Sequence, residues 1–287
     1  IIKDKKQMNA AVKLAFGPDT MKRKSWLIEN KQHDTKDNKS IVEFIHTDVK
    51  DFDIYTMQTK LPSAIDGLKP SQRKALYTCM IKAATKEIKV GQLTGATTEL
   101  TLYHHGEKSM EDTIKNLAQV IVGKSNINLF LPNGQFGTRL QGGKDAASAR
   151  YINTQLNPIV NYIFPKDDMK LLKRAEADGV VVEPVYYVPI IPMILVNGGS
   201  GIATGFSSNV PNYNPEDLVE ALYDKMAGKE MRKLVPWYKD YTGDIFDSTK
   251  ANPHEYVTHG KFTVQKNIVT ITELPIESWT QKYTEFL

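Results

Sequence analysis

The residues best suited to chemistry are an arginine and a tyrosine that follow one another, Arg150 and Tyr151, in the stretch SARYINT. A phenol is mostly protonated at neutral pH and is then a weak nucleophile. A neighbouring guanidinium favours the phenolate and can neutralise charge that builds on a phosphoryl oxygen. A tyrosine that attacks a phosphodiester forms a covalent aryl phosphate ester, which keeps the strand competent for resealing. The alternative is a packed tyrosine with a hydrogen-bonded hydroxyl.

The run before this pair, NGQFGTRLQGGKDAASARY at 133–151, is rich in glycine and in hydrogen-bond donors. Its glycines predict a loop rather than the interior of a helix or strand. Polar loops on a globular scaffold often carry function. Basic and hydroxyl groups are the donors that bind a phosphate backbone. The candidate donors on this loop are Gln135, Thr138, Arg139 and Lys144.

A second cluster of polar side chains lies in LYHHGEKS, where His104, His105 and Glu107 come together. Adjacent histidines on one element point apart, so a shared metal ion is not favoured. A histidine can instead donate to a phosphate or exchange a proton near neutral pH. The hydroxyls of Tyr103 and Ser109 could contact phosphate as well. The alternative is a structural histidine pair in front of a helix.

Several other classes of site are excluded or disfavoured. The glycines at 197–205 lack both the lysine-containing ending of a phosphate-binding loop and a Gly-x-Gly-x-x-Gly pattern, so they more simply make turns. The single Cys79 excludes an internal disulfide and zinc sites built on paired cysteines, and it fits a reducing compartment. No apolar run reaches the roughly 18 to 20 residues that a membrane helix needs.

Length and charge indicate a globular chain with one strongly basic stretch. The chain has 287 residues, enough for one large domain or two ordinary ones, and a net charge of +4. Between Lys69 and Lys89 there are six basic residues and one acidic residue. Such a local excess is the electrostatic footprint of nucleic-acid binding, although a solvated helix face gives the same pattern.

The elements that must position these residues are helices first and strands later, which predicts an α+β fold with two subdomains. Residues 1–50 are lysine-rich and polar and are interpreted as a tail or linker. Pro70 opens one helix, Ser109 with Asp112 predicts the start of a second, and Asn214 caps a third. Residues 181–196 favour proline-broken strands, and KFTVQKNIVTITE alternates around a turn like a hairpin.

At these residues the sequence resembles DNA topoisomerase II of the eukaryotic and viral type, within the type IIA topoisomerases. The stretches that carry the resemblance lie between about residues 61 and 282, in the order and spacing of the family. They are DGLKPSQRK, YHHGEKS, NLAQ, PNGQFGTRLQGGKDAASARYI, VEPVYYVPIIPMILVNG, GIATG and TITELPIESWTQ.

The resemblance implies a winged-helix (helix-turn-helix type) domain followed by an α/β tower domain. It implies a tail or linker at 1–50 leaving an upstream Toprim domain, the winged-helix domain at 51–191 and most of the tower at 192–287. Tyr151 would bond to a DNA 5′ phosphate, with Arg150 and His105 stabilising the transition state. Ile202 would wedge between base pairs and bend the duplex. The further residues implied at DNA are Lys69, Arg73, Lys74, Tyr103, Ser109, Gln135, Arg139 and Lys144.

The resemblance also implies cofactors and partners that lie beyond this chain. Mg²⁺ would be held by the Toprim domain and ATP by an ATPase domain, so no metal ligands are expected here and the chain alone would be inactive. Its partners would be double-stranded DNA and a second copy in a homodimer, with no membrane. The chain is interpreted as a piece of a longer polypeptide that works in the nucleus or, if viral, at a cytoplasmic replication site. Two alternatives remain: a winged-helix module that bends DNA without cutting it, and a dimerisation scaffold.

Overall fold

The computed structural model describes residues 5–29, 38–248 and 255–287. They form two compact units, the first made of residues 1–62 with 200–209 and the second of residues 63–199 with 210–287. The chain mixes helices with short antiparallel sheets, which confirms the predicted α+β class.

The first unit is largely helical. It contains α1 (Lys5–Phe16), α2 (Thr20–Ile28), α3 (Ile41–Phe44), a π-helical turn (Ile45–Val49) and α4 (Lys50–Lys60), together with most of the hairpin β6 (Gly199–Ala203) and β7 (Phe206–Val210). Its buried core consists of Ala11, Ala15, Trp26, Leu27 and Ile45. The described part of residues 1–50, predicted to be a tail or linker, is therefore folded around a core of its own. Residues 1–4 and 30–37 of this predicted tail or linker lie outside the described residues.

The second unit begins with the order of elements typical of a winged helix. It runs α5 (Pro70–Lys82), β1 (Ile88–Lys89), α6 (Val90–Thr101), α7 (Glu107–Ala118), β2 (Phe130–Asn133) and β3 (Asn153–Leu156). The three strands form one antiparallel sheet in the order β1-β3-β2. Only five residues, 102–106, separate α6 from α7, so these two helices make a helix-turn-helix.

One large core holds this part together. Met110, Ile114 and Leu117 recur at helical spacing on α7 and are all buried in it. On α6 the buried positions include threonines, and their hydroxyls are satisfied within the helix: Thr94 donates to the Val90 carbonyl at 2.9 Å, as threonines in helices often do. The buried threonines of α6 are therefore accommodated in the core with their hydroxyls hydrogen-bonded.

The remainder of the second unit consists of short elements and hairpins. These are α8 (Val160–Ile163), a 3₁₀ turn (Lys166–Lys170), β4 (Arg174–Ala177), β5 (Val180–Pro184), α9 (Met193–Val196), α10 (Pro215–Met226), β8 (Asp244–Asp247), β9 (Tyr256–His259), β10 (Lys261–Gln265), β11 (Ile268–Glu273) and α11 (Thr280–Phe286). Strand β4 pairs with β5, β8 with β9, and β10 with β11. No helix in the described ranges has both the length and the apolar character to cross a membrane.

The local signals in the sequence have mixed outcomes. Pro70 opens α5, and the Asn214 side chain accepts the amide of Glu216 at 2.9 Å to cap α10, as predicted. The hairpin β10–β11 is also confirmed. The predicted start at Ser109 was wrong, because α7 begins two residues earlier behind Gly106. The strands predicted at 181–196 are only partly present, since Met193–Val196 is a helical turn.

Candidate DNA-cleavage site

Tyr151 lies near the end of the long connection between β2 and β3, residues 134–152, here called the tyrosine loop. Ala149 and Ile152 are 2% and 1% exposed, whereas Tyr151 is 72% exposed. The amides of Gly91 and Val90, at the start of α6, donate to the carbonyls of Ala149 and Ile152 at 3.1 and 3.0 Å. The backbone on both sides of the tyrosine is therefore fixed while its ring faces solvent, as a nucleophile for a large substrate requires.

Arg150 lies against the ring of Tyr151. Its guanidinium carbon is 5.2 Å from the ring centroid, within the range of a cation–π contact. Arg150 is exposed, and no described carboxylate forms an ion pair with it. A positive charge held beside an exposed phenol can stabilise negative charge on a phosphate that approaches the hydroxyl.

The histidine cluster separates into two directions, as predicted for adjacent histidines. Nε2 of His104 lies 3.1 Å from Oδ2 of Asp178 on the turn between β4 and β5. The ring of His105 instead meets the ring of Tyr103 edge-on at 5.3 Å between centroids. Tyr103 is buried and its hydroxyl donates to Ser109 Oγ at 3.2 Å. Tyr103 therefore supports His105 and Ser109, which are exposed, and does not itself offer a surface donor.

Three of the four candidate donors of the tyrosine loop are exposed, but two of the four, Thr138 and Arg139, are engaged with carboxylates. Gln135, Thr138 and Lys144 are exposed. The loop is closed on itself at Thr138, whose amide and hydroxyl donate to the two carboxylate oxygens of Asp145 at 2.9 and 2.6 Å. These hydrogen bonds, first from the hydroxyl and then from the amide, hold the pKa of Asp145 below its usual value. Arg139 turns away from the exposed donors and forms an ion pair with Glu273.

The basic residues of α5 do not lie where the sequence predicted. Arg73 is buried and forms a double ion pair with Asp66, Nε to Oδ2 at 2.7 Å and Nη2 to Oδ1 at 2.9 Å. The ammonium of Lys74 donates to the Thr101 carbonyl at 2.7 Å and lies 2.9 Å from Glu183. Both cations serve the interior of the unit, which does not fit direct phosphate contacts. Lys69, at the amino-terminal cap of α5, is half-buried.

Ile202 belongs to the first unit and is 82% exposed on the hairpin β6–β7. Arg23 of α2 holds this hairpin from inside, donating to the Gly205 carbonyl at 2.9 Å with its guanidinium over the Phe206 ring. Gly201 lies against the Lys60 carbonyl so closely that a side chain would overlap it. An exposed apolar side chain on a firmly held hairpin has the form of a wedge for a base-pair step.

Within the described ranges no group of three histidine, cysteine or acidic residues could hold a metal ion. The Asp51-Phe52-Asp53 stretch has the spacing of an acidic pair, but Asp53 is fully buried and neither of its carboxylate oxygens has a hydrogen-bond partner of normal geometry. Burial raises the pKa of Asp53, and the nearby Thr204 hydroxyl and Arg23 guanidinium offset this only partly. The described side chains thus do not fit a Mg²⁺ site.

Comparison with known proteins agrees with this geometry. The family model for DNA gyrase/topoisomerase IV (the A subunit) matches residues 60–287. The chain belongs to this family. The chain is also similar to eukaryotic proteins: DNA topoisomerase 2 top-2 of Caenorhabditis elegans is 48% identical over 244 residues, which are 85% of this chain and 16% of that protein. DNA topoisomerase 2 of Arabidopsis thaliana is 43% identical over 288 residues, covering 98% of this chain and 20% of the relative.

A solved structure shows the same relationship for the fold. The crystal structure of the Plasmodium falciparum topoisomerase II DNA-binding, cleavage and re-ligation domain superimposes with a TM-score of 0.87 at 39% identity, covering 99% of this chain and 39% of that one. The resemblance to type II topoisomerases is therefore confirmed. The chain spans at most about a fifth of the Caenorhabditis elegans and Arabidopsis thaliana relatives.

Sequence reasoning missed the residues that hold the tyrosine loop from outside. Gln119, after α7, donates from Nε2 to the carbonyls of Phe136 and Gly143 at 2.8 and 3.1 Å. Glu273 holds Arg139, and the ring of Trp279 lies against Gly142. The stretches NLAQ and TITELPIESWTQ contain these three residues, so a signal was present, but nothing in the sequence linked it to the loop.

Proposed function

We propose that this chain is the DNA-binding and tyrosine-bearing part of a type II DNA topoisomerase. The observation that carries the proposal is the exposed Tyr151 with Arg150 against its ring, on a backbone fixed at Ala149 and Ile152. The complete enzyme passes one duplex through a transient double-strand break in another, driven by ATP.

The chemical step joins Tyr151 to DNA. Its hydroxyl oxygen loses its proton and attacks a backbone phosphorus, a bond forms between the two, and the bond from phosphorus to the 3′ oxygen breaks. The 3′ oxygen leaves as a protonated hydroxyl, and the 5′ phosphate stays on Tyr151. Resealing is the same step in reverse, since the ester retains the energy of the broken bond. Arg150 and His105 stabilise charge on the phosphoryl oxygens.

Exposed residues of the second unit bind the duplex, and Ile202 of the first unit bends it. Ser109, Gln135 and Lys144 are exposed donors suited to phosphates near the scissile bond, and Lys69 at the start of α5 adds a charge. Thr138 holds Asp145 beside these donors. Ile202 inserts between base pairs, and the unstacking it causes, a few kcal/mol per step, is offset by the contacts that a bent duplex gains. Arg73, Lys74, Tyr103 and Arg139 support this surface from within.

The other parts of the enzyme lie outside this chain. The winged-helix domain at 51–191 and the tower domain at 192–287 follow a Toprim domain, which holds Mg²⁺, and an ATPase domain, which binds ATP. Bound Mg²⁺ would stabilise charge on the phosphate and the leaving oxygen. Two copies form a homodimer that cuts both strands. The enzyme works in the nucleus of a cellular eukaryote or at a cytoplasmic replication site if it is viral.

The proposal is tested with the complete polypeptide, supercoiled DNA and Mg²⁺, by quenching with detergent and isolating protein-linked DNA. Wild-type protein should yield DNA with protein on its 5′ ends, and Tyr151→Phe should yield none while binding DNA with unchanged affinity. Wild-type protein that bends DNA but forms no adduct would support the non-cleaving DNA-bending module instead.

A further inference from the structure

The tyrosine loop is fastened to a distant part of the chain, residues 273–281, here called the anchor segment. The guanidinium of Arg139 pairs with Glu273 and donates from Nη2 to the Leu274 carbonyl at 3.0 Å. The amide of Gln281 donates to the Leu140 carbonyl at 3.0 Å. Gly142, at φ +62°, lies so close to the ring of Trp279 that any side chain would overlap it. The anchor segment thus contacts the tyrosine loop at Arg139, Leu140 and Gly142.

Glu273 is built as the fixed end of this attachment. It closes strand β11 and is 5% exposed. Its Oε2 accepts the amide and hydroxyl of Thr242 at 3.2 and 3.0 Å, and its Oε1 accepts the amide of Leu274 at 2.8 Å. Burial by itself would raise the pKa of Glu273, but the hydrogen bonds from Arg139 and Thr242 outweigh it and keep the pKa below its usual value. Arg139 therefore meets a permanent, immobile charge at neutral pH.

Hydrogen bonds connect the part of the loop that Arg139 holds with the residues that precede the tyrosine. The Gly143 amide donates to the Thr138 carbonyl at 2.9 Å, and Gln119 ties the two sides of the turn together from below. The Ala147 amide then donates to the Gln135 carbonyl at 2.9 Å. Four residues later comes Tyr151. The Ala147–Gln135 hydrogen bond thus joins the part of the loop that Arg139 holds to the short stretch that leads to Tyr151.

We infer that Arg139 is a positioning residue: clamped by Glu273, it couples the anchor segment at the end of β11 to the placement of Tyr151, and it does not contact DNA. The inference rests on the proposed function for its catalytic consequence. The position of the anchor segment, at the end of the β10–β11 hairpin, thereby affects the rate of DNA cleavage. The sequence-based interpretation of Arg139 as a phosphate donor makes different predictions for the same substitutions.

The test compares Arg139→Gln, Glu273→Gln and the double variant in the complete polypeptide. The rate of adduct formation at saturating DNA should fall about ten- to a hundredfold in each single variant, the size expected for a small misplacement of a reacting group. The double variant should be no slower than the slower single one, because both remove the same contact. DNA affinity and its dependence on salt should stay unchanged.

A phosphate contact by Arg139 gives the opposite pattern and would overturn the inference. Arg139→Gln would then weaken DNA binding and reduce the slope of log affinity against log salt by about one. Glu273→Gln would leave both unchanged. Arg232→Gln is the matched control, since it removes the same charge from an exposed pair with Asp224, at 2.8 Å, and should change neither rate nor affinity.

A second measurement, independent of cleavage, keeps the inference separate from the proposed function. In protein without DNA, the amides of Gly143 and Ala147 should exchange with deuterium at least tenfold faster in Arg139→Gln than in wild type. If wild type forms no adduct, the proposed function is wrong, but the exchange rates still show whether the Arg139–Glu273 pair holds the loop in place. Unchanged exchange would overturn the clamp. Should the glutamine variants unfold, Arg139→Lys, which keeps the charge but not the forked geometry, should show intermediate exchange.

Discussion

Replacing Arg73 distinguishes a structural role of this arginine from the DNA contact that the sequence predicted for it. In the structure its guanidinium meets the fully buried carboxylate of Asp66 through two hydrogen bonds, at 2.7 and 2.9 Å. The same carboxylate accepts the amides of Leu68 and Tyr187, at 2.9 and 3.0 Å, so it joins the start of α5 to a segment more than a hundred residues later. Arg73→Ala should therefore destabilise the second unit before it affects any surface.

The magnitude follows from the charge left behind. Removing one partner of a buried ion pair strands the other, which costs about 3–5 kcal/mol. A typical domain has a free energy of unfolding of about 5–15 kcal/mol, so this is a large fraction of the total. Because each 1.4 kcal/mol is about a factor of ten, the opening of α5 should become roughly a hundred- to several-thousandfold more frequent.

Native-state hydrogen exchange of the α5 amides measures this opening directly. Lys82→Ala, at the exposed end of the same helix, removes the same charge and should change stability by no more than about 0.5 kcal/mol. If Arg73→Ala kept the α5 protection of wild type and instead lowered DNA affinity with a salt slope smaller by about one, the structural role argued for Arg73 would be refuted.

Three further outcomes follow from the same structure. Asp53→Asn should raise the midpoint of thermal unfolding at pH 7, with a free energy of unfolding larger by about 1 kcal/mol. Because the native pKa of Asp53 is raised, this gain in stability should shrink as the pH falls through the native pKa. A variant less stable than wild type at pH 7 would contradict the prediction. Ile202→Ala should leave stability within about 0.5 kcal/mol, since the side chain is exposed, yet reduce the bend angle of bound DNA measured by energy transfer; an unchanged angle would exclude the wedge. The clamp at Glu273, whose native pKa is lowered, should hold fully above about pH 4.3 and loosen only as the pH falls through the lower native value; faster exchange of the loop amides already between about pH 7 and 5 would disagree.

The parts of the fold that were predictable depend on local chemistry. Pro70 and Asn214 mark helix starts because their effects act within one turn, and the alternation in β10 and β11 is visible within each strand. The exposure of Tyr151 is consistent with the loop predicted from its glycines. In each case the residues that determine the local structure lie close together in the sequence, so the sequence pattern predicts that structure.

The contacts that the sequence did not reveal are those of charged residues whose partners are distant. A basic side chain in a basic segment looks the same whether it meets a phosphate or a buried carboxylate, and Glu273 lies 134 positions from Arg139. The pair of Lys74 with Glu183 spans 109 positions. The lysine-rich composition of residues 1–50 favours a tail or linker, whereas the small core in their described part depends on residues such as Trp26 and Ile45 that are well separated in the sequence.

The most direct test of the central claim is to identify the atom that carries DNA after cleavage. The complete polypeptide is incubated with Mg²⁺ and an oligonucleotide duplex labelled on one side of the cleavage site, denatured, digested with protease and examined by mass spectrometry. We expect a nucleotide joined through its 5′ phosphate to the Tyr151 oxygen, in a peptide containing Ser148–Thr154. A nucleotide joined through a 3′ phosphate, or attached to any other residue, would contradict it.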